Sequence, residues 1–243
     1  MMKTRRKSAS FSPVSCHSQA GNAMIYVLIA IVLFGALTFI VARQSDDSET
    51  GGLNAEQTEI AATQLVQTSM QLKQAVDQML YSGSEPDTLD FTTPDDEPAF
   101  STAPYVHKVF HPSGGGVILQ PIPPFAVDQE SNDPPARWYI GRFNNVSWSA
   151  DPLAQDVIMV AHQISEPVCR AINQKLLGNP APLVTTANPR NIFVDDSLHS
   201  GTNEDFTSAA CPTCENVIAG CVEGPSEVLG ENIRSFFSII IAR

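Results

Sequence analysis

The chain reads as an α+β protein: an N-terminal transmembrane helix, a second, amphipathic helix packed on a small antiparallel sheet, and a disulfide-stapled C-terminal region. Three observations predict this. Residues 23–42 (AMIYVLIAIVLFGALTFIVA) carry no charge and no proline, and as a helix rising about 1.5 Å per residue they cover about 30 Å, the depth of a bilayer core. Residues 54–81 repeat apolar side chains at helical spacing. Beyond them, short aromatic and β-branched runs alternate with Pro- and Gly-rich turns, and Cys169, Cys211, Cys214 and Cys221 cluster toward the end.

Charge orients the first element. Lys3, Arg5, Arg6 and Lys7 precede the apolar run with no acidic residue among them, whereas Arg43 is followed by Asp46, Asp47 and Glu49. Basic residues stay on the cytoplasmic side. Residues 1–21 therefore form a basic cytoplasmic leader, 22–44 the membrane helix, and the remainder lies beyond the membrane. A cleaved signal peptide is the competing reading, but the apolar run is longer than an h-region and no small-x-small site precedes Arg43. Cys16 has no hydrophobic segment before it, which excludes a lipoprotein anchor there.

Residues 45–53 end in Gly51-Gly52 and read as a hinge. The amphipathic helix follows over 54–81, with Asn54 as N-cap, Glu56 and Glu59 near the positive end of its dipole, and Gly83 ending it. Its stripe is Ile60, Leu65, Leu72, Val76, Met79 and Leu80, facing either its own domain or a neighbouring subunit. The exported globular domain, 82–243, opens with an acidic, proline-bearing stretch in which Val117 to Leu119 suggest a short strand. RWYIGRF and NNVSWSA suggest aromatic strands or a hairpin, and Asp156 to Ala161 a buried strand. A helix capped by Ser165 runs to Leu177, with Pro167 in its first turn and Gly178 after it. Residues 179–210 show little periodicity, and Ser235 to Ala242 form a last strand, too short to cross a membrane as a helix.

Candidate chemistry is sparse. The formal charge of −12 becomes more negative once the basic leader is set aside, and such a surface repels nucleic acid and anionic headgroups. Cys211-Pro-Thr-Cys214 has the spacing of a thiol-exchange motif, yet no strand-to-helix setting surrounds it and two further cysteines are at hand, so structural disulfides are the expectation. Four cysteines allow three pairings, and spacing does not choose among them. A zinc site lacks a second ligand pair. His107, His111, His162 and His199 are scattered without a ligand or catalytic spacing. The runs Asp95-Asp96-Glu97 and Asp195-Asp196 lack the alternating ligands of a calcium loop, and Gly114 to Gly116 lack the Gly-Lys-Ser/Thr of a phosphate loop. No cofactor is called for, and no enzyme signature stands.

The layout resembles that of type IV pilin-like proteins, in particular the type IVb, minor pilin or pseudopilin branch. A basic leader ends at Gly21, an uncharged helix starts at once, and an amphipathic helix, loops, strands and a cysteine-bearing end follow. The resemblance implies cleavage by a prepilin peptidase between Gly21 and Asn22. It also implies a disulfide from the helix SEPVCRAI to GCVEG, hence Cys169 with Cys221, leaving Cys211 and Cys214 as a local pair. Implied partners are the inner membrane, other pilin subunits and their assembly platform. Asn22 and Tyr26 stand where shaft subunits carry Phe or Met and a glutamate, which points to a minor subunit of a pilus or secretion filament. Two alternatives remain: an unprocessed, single-pass anchored periplasmic binding protein, and an anchored thiol–disulfide oxidoreductase working through Cys211 and Cys214.

Overall fold

Val157–His162 (β2) is a run of β-branched and apolar residues closed by a histidine and buried along its whole length. Such a run suits a strand covered on both faces, since side chains alternate across the sheet and each side needs a cover. In a computed structural model of the chain, which describes residues 25–35, 51–142, 146–151, 154, 156–226 and 231–243, β2 lies in a five-stranded sheet. The other strands are Trp138–Arg142 (β1), Leu183–Val184 (β3), Ala219–Pro225 (β4) and Asn232–Ile241 (β5), in the order β1-β2-β5-β4-β3. Three pairings are antiparallel. The fourth departs from the expected antiparallel sheet: β3 runs parallel to β4, Leu183 opposite Val222. The departure has a topological cause, because the chain between these strands makes a long excursion across the sheet instead of a tight turn.

Gly51–Tyr81 (α2) and Glu166–Leu177 (α3) cover one face. Ala61, Leu65, Val168 and Ile172 meet Ala161 and Phe236 there, and farther along Leu72 and Val76 meet Met159 and Ile240. Each large aliphatic side chain buried in this way stabilises by about 1.5–3 kcal/mol. The buried face of α2 differs from the predicted stripe at two points. Ile60 is 54% exposed, and Thr68 and Ser69 take buried places. Their hydroxyls bond the carbonyls of Gln64 and Val66 one turn back, so polar atoms enter the core already satisfied. Gly51 and Gly52 are helical, which removes the break expected at that pair and the cap expected at Asn54; residues 45–50 lie outside the described residues. Gly83, left-handed at φ 103°, follows the helix as expected.

The opposite face is covered by the stretch read as featureless. Within it Pro189–Phe193 (α4) is capped by Asn188, whose side chain accepts from the Arg190 amide, and Ile192, Phe193, Val194 and Phe206 are fully buried against Ile158, Val160 and Phe237. The run is too short to show a helical period, and its apolar residues are spaced by loop geometry. Two other expectations fail. Val117 to Leu119 are not a strand; the Val117 amide bonds the Val109 carbonyl in a turn-rich loop whose Gly114 and Gly115 lie against backbone carbonyls with no space for a Cβ. The described part of NNVSWSA, residues 146–150, does not return beside β1, because Val146 bridges Phe206 while β1 pairs with β2.

The chain divides into two compact units, Met1–Leu53 and Asn54–Arg243. In the first, residues 25–35 are helical (α1) with every side chain exposed. The rest of the expected membrane run and the leader lie outside the described residues. Among the described residues, no helix is long and apolar enough to cross a membrane.

Candidate functional site: the helix–strand staple

Cys169 lies in the second turn of α3. This helix starts after Ser165, whose backbone takes the extended N-cap conformation without a side-chain cap bond, and stops at left-handed Gly178. Its buried side presents Val168, Cys169, Ile172 and Asn173. Cys221 sits in β4 opposite Phe236 of β5. The two cysteines form a disulfide with Cα atoms 5.3 Å apart, across 52 residues of sequence.

One turn on from Cys169, Asn173 aims at the same residue. Its Oδ1 accepts the Cys221 amide at 2.7 Å, and its Nδ2 donates to the Cys221 carbonyl and to that of Ala181, each at 2.9 Å. A wholly buried amide is thus satisfied while it docks α3 on β4, as buried polar groups require. Sequence reading passed over Asn173, although its place four residues after a helical cysteine puts both on one face.

Cys211 and Cys214 form the second disulfide, around the short 3₁₀ turn Pro212–Cys214. Both are fully buried, in the cluster with Ile192, Phe206 and Val222. A turn precedes them and no helix follows, so the strand-and-helix setting of a thiol-exchange site is missing. An incoming thiolate has no exposed sulfur to attack.

The remaining candidates disperse. His107 contacts Ser84 at 3.0 Å, and His111 stacks on Tyr105. Asp96 accepts from Thr93, and Asp195 caps the Asp196–Leu198 turn. Among the described residues, no group of three or more His, Cys, Asp or Glu side chains could hold a metal ion. Ser200, His199 and Asp133 come near one another without forming a nucleophile–base pair. The Ser200 hydroxyl donates to Asp133, while His199 Nε2 lies 2.9 Å from the Val194 carbonyl. The Ser200 hydroxyl and amide, with Arg190 adding, hold Asp133 below the usual carboxylate range. Gly21 and Asn22 lie outside the described residues.

Two polar clusters escaped sequence reading. Gln163, buried with φ 57°, uses its amide to hold the 130–134 loop: Oε1 accepts from the Glu130 and Ser131 amides, and Nε2 donates to the Ser131 and Pro134 carbonyls. Arg234 gathers Glu223 at 2.7 Å and Asp128, Glu130 and Glu166 at 3.8–3.9 Å. Burial, then Asp128, raises the Glu130 pKa above its ordinary value. Neither cluster presents a nucleophile or a cleft; both fasten loops to the sheet. Comparison of the chain with protein-family models, curated proteins and solved structures yields no match.

Proposed function

We propose that the chain is a pilin-like subunit, a minor one, of a type IV pilus or related secretion filament, held in the inner membrane by 23–42 before assembly. Its work is assembly and not catalysis. The observation that carries the reading is α1. Its large apolar side chains are 49–74% exposed, Phe34 the most and Ile29 the least, and an uncharged helix of this kind is stable only with apolar surroundings. Lipid supplies them before assembly, and the corresponding helices of neighbouring subunits supply them afterward. The Cys169–Cys221 staple between α3 and β4 gives further support, joining the two elements that the resemblance pairs.

The N-terminal sequence and intact mass of the protein recovered from its native membrane test the proposal. A chain starting at Asn22, with or without an added methyl group, is expected. A chain that still starts at Met1 or Met2 overturns processing. The alternative, an uncut anchored protein that binds an envelope component, then takes its place.

A further inference from the structure

His162 ends β2 on the sheet face shared by Ile158 and Val160, beneath the layer formed by residues 185–217. It is fully buried. Its Nδ1 lies 2.9 Å from Ser235 Oγ on β5, and Nε2 is buried with no hydrogen-bonding partner in the protein. The Tyr139 ring of β1 meets it edge-on, centroids 6.0 Å apart. The layer above contributes Arg190 from α4 and His199 from the turn after Asp196–Leu198, both of which disfavour a charge on His162. Asp133, the nearby carboxylate, is engaged with Arg190 and Ser200. Nothing in this arrangement prepares the site for an imidazolium.

We propose that His162 makes the 185–217 layer acid-releasable: protonation of its imidazole frees this layer from the sheet while the helix-covered face stays closed. Charging His162 would place one more cation beside Arg190 in a dry site, and outward movement of the layer lets water reach it. Burial first, then His199 and Arg190, lowers its pKa to about 3. The folded form therefore binds fewer protons than the unfolded chain, and the stability it holds at neutral pH drains away as pH falls below about 6.5. The two faces respond oppositely. On the helix side Glu130, among Asp128, Glu223 and Glu231 and beside Arg234, has a raised pKa, so acid relieves repulsion there. That side is also bonded through Cys169–Cys221, whereas Cys211–Cys214 closes within the layer and ties it to nothing else.

Hydrogen exchange of the full-length protein between pH 7.5 and 4.5, with rates corrected for intrinsic pH dependence, tests this. Amides of 189–206 should lose at least tenfold protection over that range while α2 and α3 keep theirs. His162→Asn should hold the layer shut at pH 4.5, and His199→Gln should still open. Joint loss of protection in α2 and the layer, or the same opening in His162→Asn, overturns the proposal. If that variant does not fold, the imidazole NMR signals of the wild-type protein decide. Charging of His162 coincident with opening supports the switch; opening without charging, or charging with the layer still protected, refutes it.

Discussion

Asn173 and Glu130 show how much a single polar side chain settles once it is buried. Asn173 satisfies both backbone groups of Cys221, so removing it strands them in the core beside an intact disulfide. A stranded buried polar group costs about 1–3 kcal/mol. Asn173→Ala should therefore lose about 2–6 kcal/mol in urea unfolding under oxidising conditions, and an unchanged midpoint would mean that the staple alone docks α3. Glu130 works in the other direction. Its side chain is 17% exposed beside Arg234, and one oxygen is buried without a partner. Because its folded pKa is raised, chiefly by burial and Asp128, the stability it contributes is present in acid and lost as pH rises through that pKa. Glu130→Gln should accordingly raise the melting temperature at pH 7.5 and gain less at pH 4. A variant that melts lower at pH 7.5 would show that attraction to Arg234 outweighs desolvation.

The elements that could be read in the sequence are those whose signals are local. β2 announced itself by an unbroken apolar run, α3 by Ser165, Pro167 and Gly178, and the body of α2 by its period. The elements that escaped depend on distant partners. β3 has two residues and exists because β4 lies beside it. Gly224 in β4 reads as a strand breaker, yet a Cβ there would stand 2.5 Å from Thr185 Cγ2 and 2.8 Å from the Ala187 carbonyl, so only glycine admits the crossing chain. α4 is a single turn whose Ile192 and Phe193 become core only through the opposite sheet face. The cysteines lie between these cases: their presence implied staples, their spacing left three pairings open, and only the resemblance joined Cys169 to Cys221, the pair found. The two pairs also differ in consequence. They close 52-residue and three-residue separations, for which chain entropy gives about 4 and about 2 kcal/mol. Replacing Cys169 and Cys221 together by Ser should thus lower the unfolding free energy about twice as far as replacing Cys211 and Cys214. Equal losses would point to packing around the sulfurs, and not to cross-linking, as the source of their effect.

At the scale of the whole molecule, the division after Leu53 separates two kinds of stability. All three core clusters draw their buried residues from Asn54–Arg243, and both disulfides close within it. The second unit therefore has the means to fold alone: a sheet covered on both faces, few stranded polar atoms, and an even set of cysteines. Cys16 is the fifth cysteine, and it lies in the first unit. A fragment comprising residues 54–243, produced under oxidising conditions, should be soluble, unfold in one cooperative urea transition, and show no reactive thiol after denaturation. The full chain, treated identically in detergent, should show one, from Cys16. A fragment that aggregates, or that reveals free thiols, would mean that the first 53 residues take part in forming the globular domain. Under the assembly role proposed above, the N-terminal helix exchanges lipid for protein neighbours while the stapled domain keeps its shape, and a fragment 54–243 that folds by itself is what that role requires.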